Sequence, residues 1–245
     1  MCDTSCLDFG RQELKGDDVA GKFVLEVGAM DVNGSLRSIA MQYQPARYVG
    51  VDIAAGPGVD EVCPAEALEQ RFGADAADVV ISTEMLEHVF DWRRVIHNLK
   101  AVLKPGGVLL LTTRSKGFPL HGYPSDWWRF EIEDFQAIFR DLQVEALVKD
   151  WSGGPGVFVL ARKSAAYVEA DLGSHALYSV VSRERTTSLE FSPRQRFWFG
   201  IRLWLSTQLI NLVLGARRVG WRVAYVLSRV VPQPVRQKLW QRLFG

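Results

Sequence analysis

Phe23-Val24-Leu25-Glu26-Val27-Gly28-Ala29-Met30-Asp31-Val32-Asn33-Gly34 is the passage from which the rest of this 245-residue chain can be read. A short apolar run carries one acid, reaches a glycine and opens into a small polar loop. Ser35-Leu36-Arg37-Ser38-Ile39-Ala40 then has the composition of a helix start. Such a sequence specifies a buried parallel strand feeding a tight turn into a helix. In open α/β sheets, ligands sit at the carboxyl ends of strands of this kind.

The unit recurs along the chain. Arg47–Ile53 reads as a second strand ending in an acid, Val59–Val62 as a short third and Asp78–Ser82 as a fourth. Asp91–Leu103 has helical apolar spacing at Val95, Ile96, Leu99, Val102 and Leu103, and Lys104-Pro105-Gly106-Gly107 stops it. Val108–Thr113 is apolar on both faces and is expected to be central. Strands alternating with helices imply a parallel, doubly wound α/β sheet with right-handed crossovers. Glu131–Phe139 reads as a further helix, and Val144–Lys149 and Val157–Ala161 as an antiparallel closing hairpin around a Gly/Pro-rich turn.

The opening loop restricts its ligand. Loops that cradle phosphates need several glycines so that backbone N–H groups can approach the anion. Here Gly28 is followed by Ala29, Asp31 and Asn33, with neither G-x-G-x-x-G nor G-K-[ST] present. A pyrophosphate is disfavoured; a nucleoside carrying an ammonium group fits better, with Glu26 and Asp31 as the acids. Asp52, which ends the second strand 24 residues after Gly28, can accept both hydroxyls of a ribose. Ile81-Ser82-Thr83-Glu84-Met85-Leu86-Glu87-His88-Val89 follows the fourth strand, so Ser82, Thr83 and Glu84 fall beside the opening loop. His88 is read equally as a site residue and as a structural hydrogen-bonding group.

Val24–Gly28, Tyr48–Asp52, Asp78–Val89 and Leu103–Gly107, in this order and spacing, resemble class I S-adenosylmethionine-dependent methyltransferases of the bacterial small-molecule type over about residues 20–163. The resemblance implies a seven-stranded Rossmann-like sheet whose last strand is antiparallel, in keeping with the hairpin. It implies S-adenosylmethionine as cofactor, with Glu26, Val27, Gly28 and Ala29 toward the methionine, Asp52 and Ile53 at the ribose, and the turn after the third strand, Cys63 and Pro64, at the adenine. Two departures stand out. The later loop glycines of the family are replaced by Met30-Asp31 and Val32-Asn33-Gly34. The acid that the family often carries after the third strand corresponds to Pro64, which leaves the adenine to backbone groups or to Glu66.

Gly117–Phe130, after the fifth strand, lies where this fold places its acceptor. Its His121-x-x-Pro124-x-Asp126-Trp127-Trp128-Arg129-Phe130 is similar to a segment of methyltransferases from bacterial polysaccharide and glycolipid pathways. Aromatic faces stack on sugar rings, while His, Asp and Arg bond hydroxyls. Tyr123, Trp127, Trp128 and Arg129 are therefore candidate substrate-binding residues. Methyl transfer requires alignment of the acceptor oxygen and removal of its proton. His121 is the first candidate for the base and His88 the second, with Asp126 as orienter or alternative base. The competing reading makes Trp127, Trp128 and Phe130 core and Asp126–Arg129 a structural ion pair. No metal is expected, because only Glu84 with Glu87 or His88 has helical ligand spacing, and the cofactor loop explains that trio.

Charge divides the chain. Lys and Arg number 29 against 28 Asp and Glu overall, yet residues 193–245 hold ten basic residues and no acid. The expected organisation is a catalytic domain at 1–165, a linker at 166–192 and an amphipathic helical tail at 193–245. Phe197–Gly215 approaches the roughly 20 apolar residues of a membrane span, but Arg202, Gln208 and Asn211 interrupt it. With Trp198, Trp204, Trp221 and Trp240, and with Arg218, Arg222 and Arg229 on one helical face, the tail reads as a helix lying in an anionic membrane surface. Packing on the core or homodimerisation is the plainer alternative. The apolar bulk argues against nucleic acid. Three cysteines without paired spacing, and an acidic N-terminus without an apolar leader, indicate a cytoplasmic protein. The expected activity is O-methylation of a sugar hydroxyl on a glycan or glycolipid precursor. Alternatives are a lipid, quinone or secondary-metabolite acceptor, or a non-catalytic fold that binds a membrane or partner.

Overall fold

The apolar runs form strands. In chain order the elements are α1 (Thr4–Glu13), α2 (Gly16–Val19), β1 (Phe23–Val27), α3 (Arg37–Ala40), β2 (Arg47–Asp52), β3 (Glu61–Val62), α4 (Leu68–Phe72), β4 (Ala77–Thr83), α5 (Trp92–Val102), β5 (Leu103–Arg114), β6 (Trp128–Arg129), α6 (Ile132–Ile138), β7 (Gln143–Asp150), β8 (Gly156–Arg162), β9 (Leu177–Ser179) and β10 (Arg185–Thr186). The structure, a computed structural model, describes residues 4–121, 126–150, 152, 154–190, 192–195, 197–206 and 208. It divides into two compact units, Met1–Arg196 and Phe197–Gly245.

In the first unit, seven strands form one sheet in the order β3-β2-β1-β4-β5-β8-β7. β1, β2, β3, β4 and β5 pair in parallel. β8 runs antiparallel between β5 and β7, as the hairpin reading and the family resemblance require. Period-two alternation sends the central strands' side chains into two cores. Leu25, Val27, Val80, Leu109 and Leu111 pack with Val95, Ile96 and Leu99 of α5 on one face. Val24, Val79, Ile81, Val108 and Leu110 pack with Phe9 of α1 and Ile39 of α3 on the other. The strand order reverses between β1 and β4, and their carboxyl ends part to leave the crevice that such reversals create.

The structure adds a second sheet. β6, β9 and β10 pair antiparallel. Residues 166–192, expected to be a linker, therefore carry ordered elements within the first unit. Arg93 of α5 holds this segment by donating to the carbonyls of Leu172 (2.8 Å), Thr187 (2.7 Å) and His175 (2.5 Å). His175 Nε2 lies 2.9 Å from Asp134 of α6. In the second unit, residues 197–206 are helical. Among the described residues, no helix is long and apolar enough to cross a membrane. The expected helix at 219–231, with Arg218, Trp221, Arg222, Arg229 and Trp240, lies outside the described residues.

Candidate functional site

β1 ends at Gly28, whose φ of +78° is a conformation that L side chains rarely adopt. Its N–H and that of Ala29 both donate to Val51 O of β2, at 2.9 and 3.0 Å. A Cβ at Gly28 would come within 2.7 Å of Met85 Cβ. The bare glycine therefore leaves room where the turn after β1 meets the turn after β4. The loop beyond it is held by Asp31 N donating to Pro57 O (2.8 Å) and Gly34 N donating to Asp31 Oδ1 (2.9 Å). Met30 N donates to Asp52 Oδ2 at 3.1 Å, which fixes that carboxylate beside the loop.

Above these ends lies a cavity of about 580 Å³ lined by Val27, Gly28, Met30, Val32, Asp52, Ile53, Ala54, Cys63, Ala65, Glu66, Glu84, Met85, His88, Val89, Phe90 and Trp127. Its size is ordinary for a cofactor site. Bare backbone at Gly28, a carboxylate at Asp52 and apolar walls at Ile53, Cys63 and Ala65 fit a nucleoside with an amino acid arm. Of the expected cofactor residues, Val27, Gly28, Asp52, Ile53, Cys63 and Glu84 line this cavity. Ala29 is buried against Gly50 and Gly58, Asp31 braces the loop, and Asn33 is exposed. Pro64 accepts from Ala67 N as the cap of the turn that follows it. Ser82 and Thr83 are buried at the end of β4.

Glu26 is also buried, in a network of its own. Ser35 Oγ donates to both of its oxygens (2.9 and 3.1 Å), and Tyr48 OH donates to Oε2 (2.9 Å). Burial pushes its pKa up to about 7, against the opposing effect of these hydrogen bonds and of Arg37. The folded chain thus holds this proton more tightly than the unfolded one. The stability Glu26 contributes is complete below its ordinary value of 4.5 and is lost as pH rises through about 7. Glu26→Gln is expected to flatten stability against pH across that window and to exceed wild type at pH 8 by up to about 3 kcal/mol, read from urea unfolding at pH 5 and pH 8. Parallel curves for the two proteins would contradict this.

The turn after β4 gathers the ionisable groups nearest the cavity. Glu84 adopts a left-handed backbone with φ +52°, a strained state for a non-glycine residue. Its carboxylate pairs with Arg114 and accepts from Thr112 Oγ1 (3.1 Å). Burial, then the nearby charge of Glu87, pushes its pKa well above the ordinary value. Glu87 is fully buried, and Thr113 Oγ1 donates to its Oε2 at 2.7 Å. Burial opposes its ionisation, but His121 and His88 win and hold it ionised. Glu87 Oε1 lies 3.7 Å from His121 Nε2 and 3.8 Å from His88 Nε2. The two imidazoles meet edge to face, 4.7 Å between centroids.

Asp126 orients His121. Its Oδ2 accepts from His121 N (3.0 Å) and lies 3.1 Å from His121 Nδ1. Arg129 grips both oxygens of Asp126. Burial lowers the proton affinity of His121, yet Asp126 and Glu87 outweigh it and raise the pKa to about 9. Of the expected acceptor residues, Trp127 lines the cavity, with Phe90 edge-on at 5.5 Å. Trp128 is buried and donates from Nε1 to Phe90 O (3.2 Å), and Arg129 is buried against Asp126. Tyr123 lies outside the described residues. Sequence reasoning missed Met30, Val32, Ala54, Ala65, Met85, Val89 and Phe90 as lining residues. Val89-Phe90, an apolar pair directly after an acid-rich turn, was the available signal.

A methyltransferase-domain family model matches residues 7–151. The ubiquinone biosynthesis O-methyltransferase of Haemophilus ducreyi is 34% identical over 126 residues, which is 44% of this chain and 51% of that protein. That of Erwinia tasmaniensis is 33% identical over 149 residues, 55% of this chain and 56% of that protein. The chain thus spans about half the length of these curated relatives. Among solved structures, the Burkholderia thailandensis 1,6-didemethyltoxoflavin-N1-methyltransferase, bound to its substrate and S-adenosylhomocysteine, matches with a TM-score of 0.52 at 16% identity, over 66% of this chain and 80% of that one. The [4+2]-cyclase SpnF matches with a TM-score of 0.51 at 14% identity, over 65% of this chain and 81% of that one. These structural likenesses establish the fold alone, and the same fold hosts unrelated reactions.

Proposed function

The chain belongs to the methyltransferase-domain family, and from that premise we propose that it transfers a methyl group from S-adenosylmethionine to a ring hydroxyl of a small-molecule acceptor. The observation that carries this reading is a single cavity: His88 of the Glu87–His88–His121 cluster lines the same space as Gly28 and Asp52. Gly28 and Asp52 hold the amino acid and ribose parts of the cofactor, and Ile53, Cys63 and Ala65 flank its base. Bound there, S-adenosylmethionine supplies an electrophilic methyl group that an acceptor oxygen displaces from sulfur, leaving S-adenosylhomocysteine and a proton. The Glu87–His88–His121 cluster aligns that oxygen and takes up its proton, and Asp126 keeps the His121 ring in position.

The acceptor is a sugar hydroxyl of a glycan or glycolipid precursor, its ring stacked on Trp127. A phenol or quinol is the second reading, favoured by the apolar walls at Met85, Val89 and Phe90 and by the names of the curated relatives. Radiolabelled S-adenosylmethionine offered with nucleotide sugars, lipid-linked sugars and hydroquinones tests both. Label is expected in a methyl ether of the sugar; label in the hydroquinones alone would move the assignment to the second reading, and transfer to neither would remove both. The basic tail at 193–245 brings the chain to an anionic membrane surface. Flotation with anionic vesicles is expected to recover the full chain and not a chain ending at 192. Equal recovery would contradict the membrane role.

A further inference from the structure

Glu87, His88 and His121 present more than an acid–base pair. Glu87 Oε1 is buried and has no hydrogen-bond partner, although Oε2 is satisfied by Thr113. Leaving such an atom unpaired is costly. The atoms nearest to it on the histidines, at 3.7 and 3.8 Å, are too far away for hydrogen bonds. One donor atom from each of the three residues lies within 4.8 Å of the other two. Ligands about 2.1 Å from a shared tetrahedral ion sit roughly 3.4 Å apart, so the two separations from Glu87 are wide by a few tenths of an ångström and the two histidines, 4.7 Å between ring centroids, close further on loading.

The surroundings complete the pattern. His121 Nδ1 faces Asp126 Oδ2 (3.1 Å) and Pro119 O (3.2 Å), both acceptors, so Nδ1 keeps its proton and Nε2, turned to Glu87, is the nitrogen whose proton an ion would displace. A carboxylate behind a histidine that presents its other nitrogen is the usual support of a metal ligand. Asp126 is in turn held by Arg129 through both oxygens. His88 forms part of the cavity wall, so an ion held by the three residues would border that cavity. Two imidazole nitrogens and one carboxylate favour a transition ion over magnesium or calcium.

We propose that Glu87, His88 and His121 bind a divalent transition-metal ion of the zinc class, whose open positions take the acceptor oxygen. The role of the ion rests on the methyl-transfer reading; its binding does not. With the ion bound, the three residues hold it instead of taking up the proton themselves: the ion lowers the pKa of the bound hydroxyl and holds it toward the cofactor, and the displaced proton leaves to solvent.

The test is titration of the chelator-treated full chain with Zn²⁺ by calorimetry and with Co²⁺ by visible absorption. S-adenosylhomocysteine is titrated into the same samples. One ion per chain is expected, with a Co²⁺ ligand-field band. Glu87→Gln, His88→Gln and His121→Gln should each weaken Zn²⁺ at least 30-fold, and Asp126→Asn about 10- to 100-fold, with S-adenosylhomocysteine still binding saturably. Should Glu87→Gln fail to fold, His88→Gln, on the cavity wall, carries the test. No saturable Zn²⁺ binding, or wild-type affinity in the three ligand variants, would overturn the proposal. S-adenosylhomocysteine binding without Zn²⁺ binding would overturn the metal centre and leave the methyltransferase reading standing; the reverse would do the opposite.

Discussion

Gly28→Val removes cofactor binding, with S-adenosylhomocysteine affinity falling more than about 100-fold while the sheet still folds. The glycine has a φ of +78°, where a side chain costs roughly 1–2 kcal/mol before any contact is counted. A Cβ there meets Met85 Cβ and Cγ at 2.7 Å. Relief of either problem moves the turn after β1 or the turn after β4, and both turns line the cavity. The hydrogen bonds from Gly28 N and Ala29 N to Val51 tie the first of these turns to β2, so a displaced Gly28 also disturbs the strand that ends in Asp52. Calorimetry reads the loss, and far-ultraviolet circular dichroism shows that the fold persists. Affinity within threefold of wild type in Gly28→Val would mean that the ligand does not use this turn.

His121→Gln leaves cofactor affinity intact and lowers kcat by roughly 10²- to 10⁴-fold, the usual worth of a positioned group that handles a proton. The ring is not on the cavity wall; it acts there through its place against Glu87 and His88. Glutamine can keep a bond to the backbone or to Asp126 but offers no imidazole nitrogen to the cluster. The split matters: a purely structural role would weaken cofactor binding and stability together with turnover. Single-turnover rates at saturating cofactor, with thermal melts on the same samples, separate the two cases. A kcat within fivefold of wild type would take His121 out of the reaction.

The central sheet was legible because its strands are short apolar runs that end in an acid or a glycine, and the loops between them match the crossovers of a parallel sheet. Asp52 and Gly28 could be placed from that periodicity alone, since both terminate neighbouring strands on the same edge. The route of Met30–Gly34 could not be. It depends on Asp31 bonding to Pro57 and Gly34, and on Asp52 accepting from Met30, which are contacts made across the loop. The small sheet of β6, β9 and β10 escaped for a related reason. Arg185–Thr186 and Leu177–Ser179 are too short to show a period, and Arg93 fixes their segment through backbone carbonyls, which leave no mark in a sequence.

The aromatic run at 127–130 shows how composition misleads at close range. Its two tryptophans were equally good sugar platforms on paper. The short strand β6 turns Trp128 into the core, and the peptide N–H of Trp127 donates to Glu87 O, which leaves only the Trp127 ring on the cavity wall. The cluster of Glu87 and His88 with His121 was invisible for the opposite reason. The first two are adjacent, but His121 is 33 residues further on and reaches them only because β5 runs beside β4 and returns the chain to the same end of the sheet.

The measurement that bears most directly on the cavity as a cofactor site is calorimetric titration of S-adenosylhomocysteine into the wild-type chain and into Asp52→Asn. Saturable one-to-one binding is predicted for wild type, weakened at least tenfold in Asp52→Asn by loss of the carboxylate at the end of β2. No binding to wild type, or equal affinity in the two proteins, would contradict the assignment of this cavity to the cofactor.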